Sequence, residues 1–296
     1  MITIQAALSG ALLGGLYALM AAGVSVTWGV LRIINLTHFG LVLLGAYLTF
    51  ELATAWQVDP LVTVLVSVPA MFVLGGALQW VFDVLKVSEL NSLLLSFGLL
   101  IIIVQGVSNV WTADFQRMTS TVNPYATRSM HLGRLAFPLP TLLAFTVAVV
   151  ILAGAHLVLR RTFAGRALRA YAEDRAVAAA FGVDHRRIGV LLAAVSGGTA
   201  AVAGMLFSLG SALTPATAYE WFGTVFAVVI LGGIGHLVGT FTAGLFVGVV
   251  SGVVSVQLSP SAAPFVLFSL IVLALLVRPQ GLFAARPRIV RARGAR

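Results

Sequence analysis

Eight apolar runs, each close to the ~20 residues a helix needs to cross a bilayer, constrain this 296-residue chain more than any other feature. They lie at about 6–30, 39–56, 61–82, 92–111, 138–159, 188–209, 239–257 and 262–277, and a shorter one runs from Trp221 to Ile234. Charged residues make up 9% of the chain, against about 25% in a soluble domain. The alternating pattern of a β-barrel is absent. The expected fold is therefore all-α: a polytopic transmembrane bundle of about 8–9 membrane segments, forming one membrane domain over residues 1–296.

Charge sets the expected orientation. Thirteen of the 18 basic residues fall in two segments, 160–187 and 278–296. In a soluble protein a net charge of +9 would suggest nucleic acid; here it points to loops retained on the cytoplasmic side. Placing 160–187 inside puts Arg32 and Lys86 inside, and leaves 112–137 outside with Arg117, Arg128 and Arg134. The N-terminus then lies outside. The Arg-rich tail, 278–296, lands inside provided that 221–234 crosses or does the equivalent. Asn123 and Asp184 are expected to mark the two faces. MITIQ carries no basic region ahead of the first run, so that run is expected to remain as a span.

Two stretches interrupt apolar helices with glycine and a few polar groups: GVLRIINLTHFG, Gly29 to Gly40, and GGIGHLVG, Gly232 to Gly239. Non-helical backbone survives at membrane depth only where protein buries it or it lines a wet cavity, and broken helices in transporters border the substrate path. Asn35, Thr37, His38 and Gly40, with Gly233, Gly235, His236 and Gly239, are therefore the candidate pathway residues. The plain alternative makes both breaks surface loops, with Asn35 capping the next helix. Gly10 and Gly14, like Gly244, Gly248 and Gly252, have the four-residue spacing of close helix packing.

Several chemistries are excluded. The single lysine, Lys86, sits in DVLKVSEL without a glycine loop, so no Walker A sequence exists. No zinc-protease or nucleophile-elbow motif occurs, and neither metal nor cofactor is expected. The lack of cysteine removes disulfide and thiol chemistry. Carboxylates (Glu51, Asp59, Asp83, Glu89, Asp114, Glu220) lie near span ends, whereas an ion-coupled carrier keeps an ionisable group within the membrane. Glu51 reads as an interfacial, satisfied carboxylate. The chain is expected to be non-catalytic, with any energy supplied by a partner.

The island RRTFAGRALRAYAEDRAVAAAFGVDHRR (160–187) is Ala-rich, helix-prone and basic. It suits a surface on which another protein presses, or a connector whose arginines only set topology. GLYALMAAGVSVTWGVLRIINLTHFGLVLLGAY (15–47), GRALRAYAEDRAVAAAFGVDHRRIG (165–189), VVILGGIGHLVGTFTAGLFVG (228–248) and RPQGLF (278–283) together resemble the LivH-type permease subunits of branched-chain amino acid ABC importers, from about residue 8 to 283. One departure stands out: Phe39 occupies a position where that family often has glycine, and no acid follows.

The resemblance implies a bacterial inner-membrane permease that works with a second, LivM-like permease subunit, two ABC ATPase subunits and a periplasmic or extracellular solute-binding protein. Its coupling loop maps onto Gly165, Arg169, Glu173, Asp174, Arg175, Ala179 and Gly182, with Ala176, Ala178, Ala179 and Ala180 giving close approach and Glu173, Asp174 and Arg175 charged contacts. The expected cargo is a small amino acid, first a branched-chain one. Amides, urea or small carboxylates are the alternative, and a stand-alone secondary carrier is a second class of function.

Overall fold

The computed structural model describes residues 2–133, 135–182, 184–278 and 281–283. In these residues the order is α1 (Ile2–Leu31), α2 (Thr37–Thr54), α3 (Val64–Val84), α4 (Glu89–Trp111), β1 (Ser129–Leu132), β2 (Leu135–Pro138), α5 (Leu139–Arg161), α6 (Phe163–Glu173), α7 (Arg175–Ala180), α8 (His185–Gly210), α9 (Thr217–Gly232), α10 (Leu237–Gln257) and α11 (Ala262–Val277). Each apolar run has become a helix, and the basic island has become α6 and α7. Most of the tail, 278–296, lies outside the described residues.

α1, α3, α4, α5, α8 and α10 are long and apolar enough to cross a membrane. α9 and α11 are apolar but 16 residues each. α2 has 18 residues and carries His38 and Glu51. Length alone does not carry these three across.

Glycine decides which helices touch. Gly10 and Gly14 of α1 face Gly248 and Gly244 of α10, so the backbones meet where any side chain would separate them: a Cβ on Gly14 would lie 2.9 Å from Leu245 Cα. A Cβ on Gly75 would stand 2.6 Å from the Ala193 carbonyl oxygen, joining α3 to α8, and one on Gly45 would lie 2.7 Å from Ala201 Cα, joining α2 to α8. Helices in lipid gain from this contact because lipid tails are as apolar as leucine, which leaves dispersion and shape as the attraction. The core gathers around α1, α2, α8 and α9, with Leu19, Leu43, Tyr47, Leu206 and Val228 fully buried. α3, α4, α5 and α11 turn Leu65, Leu94, Val150 and Phe265 outward, as helices bordering hydrocarbon do.

The two ends differ. One, the basic end, holds residues 32–36, the α3–α4 turn with Lys86, α6–α7 and residues 233–236. At the other, Glu51 accepts a hydrogen bond from Trp111 Nε1 (2.8 Å), Asp59 accepts one from the Tyr125 hydroxyl (2.8 Å), and Gln116 bridges to Leu213. Asn123, expected on an open loop, is buried instead: its Nδ2 donates to the Leu209 carbonyl at 2.9 Å. The 112–138 segment thus folds down onto the end of α8 and closes with the β1–β2 hairpin.

Candidate functional site

The first break is narrower than its glycines suggested. Only residues 32–36 leave the helix, and none of them is glycine; Gly29 ends up inside α1 and Gly40 inside α2. Helix α1 stops because Arg32 takes a left-handed turn (φ 57°), its N–H bonding back to the Trp28 carbonyl at 2.9 Å. That is a glycine-type helix stop made by a residue that pays steric strain for it. Gly29 instead permits contact: a Cβ there would reach 2.5 Å from Gly235 Cα.

From Leu31 the chain turns back into the bundle. Ser96 of α4 receives it: its hydroxyl accepts from Leu36 N–H (3.0 Å) and lies 3.3 Å from the Ile34 carbonyl, while Thr37 Oγ1 donates to the Ser96 carbonyl (3.1 Å). Asn35 Oδ1 accepts from Thr37 N–H at 3.0 Å, a local turn bond of the kind its amide can make. Two of the backbone groups freed by the break, Leu36 N–H and the Ile34 carbonyl, thus meet α4.

His38 then enters the centre of the bundle, 2% exposed. Its Nε2 is 3.0 Å from the Met20 carbonyl of α1, and its Nδ1 is 3.0 Å from Ser196 Oγ of α8. A carbonyl only accepts, so Nε2 carries the proton and the Ser196 hydroxyl donates to Nδ1. Met20 lies eleven residues from the end of α1, and Ser196 eleven from the start of α8, about 16 Å along each helix. With an apolar core ~30 Å thick, His38 stands near mid-depth and pins α1, α2 and α8 together. Gly23 makes room for the ring; a Cβ there would lie 2.7 Å from Ser196 Oγ and overlap the imidazole. We expect His38→Phe to keep the volume, strand both partners and cost about 1–3 kcal/mol, read as a lower thermal midpoint in detergent. An unchanged midpoint would show the two bonds to be dispensable.

Phe39, the departure from the family pattern, is fully buried, 4.6 Å from Phe222 and 6.2 Å from Phe226 between ring centroids. It joins α2 to α9 as packing.

The second break does use its glycines. Gly233 (φ 84°) and Gly235 (φ 81°) adopt backbone that other residues rarely take. Ser25 of α1 holds this turn, accepting from Gly235 N–H (3.0 Å) and from Thr240 Oγ1 (3.2 Å). Gly239 packs against Gly232 and lies against the Phe283 carbonyl, while His236 is exposed. The two breaks therefore do not line one another. They meet different faces of the last twelve residues of α1: residues 20 and 23 face His38, 25 and 29 face the second break, and Leu31 precedes the first.

In the basic island, Asp174 separates α6 from α7 and caps α7, accepting from Ala176 N–H (2.9 Å) and Val177 N–H (3.0 Å). Gly165 lies against Leu159 at the end of α5, and Arg169 donates to the Leu159 carbonyl (2.5 Å). Gly182 (φ 84°) ends the unit. Arg175, expected as an outward charged contact, donates to the Leu31 carbonyl and lies over the Tyr171 ring. Ala178 is buried as well, because α7 packs that face on Leu31, Tyr171 and Leu192. Burial raises the pKa of the Tyr171 phenol, with Arg175 opposing. Residues 173–177 and 179–181 are nonetheless exposed, Arg175 among them, with Phe181 85% exposed. Sequence reasoning missed Ser25, Ser96, Ser196 and Thr240; the one signal available was a hydroxyl inside an apolar helix.

Residues 6–277 match the family described as branched-chain amino acid transport system / permease component. Similar proteins include the high-affinity branched-chain amino acid transport system permease protein LivH of Escherichia coli K12, 28% identical over 97% of this chain and 96% of that one. BraD of Pseudomonas aeruginosa, named for the same transport system, is 24% identical over 97% of both chains. A probable LivH of Methanocaldococcus jannaschii is 25% identical over 93% of this chain and 91% of its own. No solved structure matches.

Proposed function

The chain belongs to the branched-chain amino acid transport system permease family, and on that premise we propose that it is the membrane subunit of an ATP-driven importer of branched-chain amino acids. The carrying observation is the pairing of an outward-facing α6–α7 unit with two helix breaks seated on the same helix, α1. A chain without a Walker A sequence needs a surface through which an ATPase can act, and Val177 and Phe181 project from one side of α7 as apolar anchors. The partners of this reading are two ATPase subunits on α6–α7, a second permease beside the bundle and a solute-binding protein at the opposite end. The basic end then lies in the cytoplasm and the N-terminus outside.

The residues around the breaks are hydroxyls, one amide, imidazoles, small and aliphatic groups, with no fixed acid and a single cation, the exposed Arg32. A zwitterion with an aliphatic side chain can pass them without leaving a buried charge unpaired. The inward packing of Phe39 favours the branched-chain choice over amides or small carboxylates, since it places that departure in the protein interior.

Uptake of radiolabelled leucine into vesicles holding the complete complex tests the cargo. Accumulation supports the reading, whereas transport of some other small solute without leucine, isoleucine or valine rejects the cargo and keeps the importer. Orientation is tested with single cysteines in this cysteine-free chain. Because Asn123 is buried, Thr127→Cys is the outer probe; it is expected to react with an impermeant thiol reagent in intact cells, and Asp184→Cys only after permeabilisation. The reverse pattern overturns the orientation.

A further inference from the structure

The coupling unit is joined by sequence to α5 and α8, yet one of its polar contacts reaches a helix far away in the chain. Arg175 donates to the carbonyl of Leu31, 144 residues distant, which is the last residue of α1. That carbonyl is one of the four at a helix C-terminus with no partner inside the helix, and it lies at the negative end of the helix dipole, where a cation is favoured. The guanidinium is steadied from its other side by the Tyr171 ring, 5.5 Å from its centroid. Beneath this contact Leu31, Tyr171, Ala178 and Leu192 form a small apolar cluster of their own, with Ile33 packed against it. The first break begins at the very next residue, Arg32, whose left-handed backbone makes this corner one of the strained points of the chain.

We infer that Arg175 is the positioning residue through which movement of α6–α7 reaches the end of α1 and displaces the 32–36 break. This rests on the importer reading above and deepens it. Connections through α5 and α8 move the helices flanking the unit. The Arg175 contact and the cluster beneath it instead join the unit directly to the end of α1, the helix on which His38 and the second break rest. A displacement of Leu31 is passed along five residues to Leu36 and Thr37, which are tied to Ser96 of α4. The break would therefore be pulled between two anchors, one of them set by the ATPase. On this account Arg175 transmits and does not itself touch the ATPase; the outward face of α7 does that.

The test uses the complete complex in vesicles with liganded binding protein and ATP. Arg175→Ala is expected to keep assembly and ATP hydrolysis while the leucine moved per ATP falls about tenfold, within the span of one lost coupling interaction. Arg175→Lys, which keeps a cationic donor, should recover part of that loss. In parallel, Ile33→Cys is expected to change its thiol-labelling rate between nucleotide-free and nucleotide-trapped states, and to lose that response when Arg175→Ala is added. Unchanged transport per ATP, or an unchanged nucleotide response at Ile33→Cys, overturns the proposal. So does weakened binding of the ATPase subunits, which would make Arg175 part of their docking surface. If Arg175→Ala does not assemble, Arg175→Gln, which keeps a donor without the charged fork, is judged by the same outcomes. A wild-type complex that hydrolyses ATP without moving leucine contradicts the cargo reading alone, and the labelling experiment then decides the latch.

Discussion

Gly248→Leu strongly destabilises the bundle, while Gly106→Leu is tolerated. A Cβ on Gly248 would already lie 2.7 Å from both the N and Cα of Gly14, whereas one on Gly106 would meet nothing within 4 Å. The atoms in the way at Gly248 are backbone, which cannot rotate aside, and α1 meets α10 again at Gly244. Helix α1 would have to move off α10, taking Ser25 from the second break and the Leu31 corner with it. Overpacking in a tight core costs about 1–3 kcal/mol and more where the obstacle is rigid, a large share of a margin near 5–15 kcal/mol. Size-exclusion profile and thermal midpoint in detergent check this. A monodisperse Gly248→Leu with an unshifted midpoint would show that the α1–α10 contact is not the close one described.

Phe181→Asp abolishes transport and leaves the permease itself intact. Phe181 is 85% exposed and Val177, one helical turn earlier, 53%, so the folded chain gains almost nothing from either. An apolar ring held open at the basic end is costly to keep unless a partner covers it. Removing a central aromatic anchor from an interface costs about 2 kcal/mol or more, roughly a thirtyfold loss of affinity, and an aspartate adds a charge that docking would desolvate. The expected result is lost co-purification of the ATPase subunits, with an unshifted thermal midpoint for the permease alone. Retained ATPase binding would place the docking surface elsewhere on the basic end. Loss of permease stability would show that Phe181 has a partner inside the chain.

Which segments become helices was legible from hydropathy because a span must be apolar along its whole length. The run expected at 92–111 is α4, Glu89–Trp111, and that at 262–277 is α11. Charge likewise set the 160–187 island apart. What the sequence could not supply was pairing at a distance. The glycines of Gly29–Gly40 suggested where the first break falls, but its ends are fixed by Arg32 and by Ser96, sixty residues on from Leu36. Glycine is an ambiguous sign in a membrane helix, since it allows both odd backbone and close contact: Gly235 does the first and Gly29 the second. The same ambiguity affects charge. Arg175 reads as surface in a basic loop, and only the fold reveals a helix end within its reach. Ala178 and Ala179 are indistinguishable in sequence, yet one is buried and the other open.

Whether this chain is driven by ATP at the face that carries α6–α7 is decided by supplying nucleotide from one side at a time. The complex is reconstituted with its ATPases and binding protein, and Asp184→Cys reports by thiol labelling which face each vesicle population presents. Leucine is predicted to accumulate against its gradient, moving away from the Thr127 side, only when ATP is present on the Asp184 side. Leucine that equilibrates without ATP, or that accumulates in response to an ion gradient alone, would contradict the account and make the chain a stand-alone carrier.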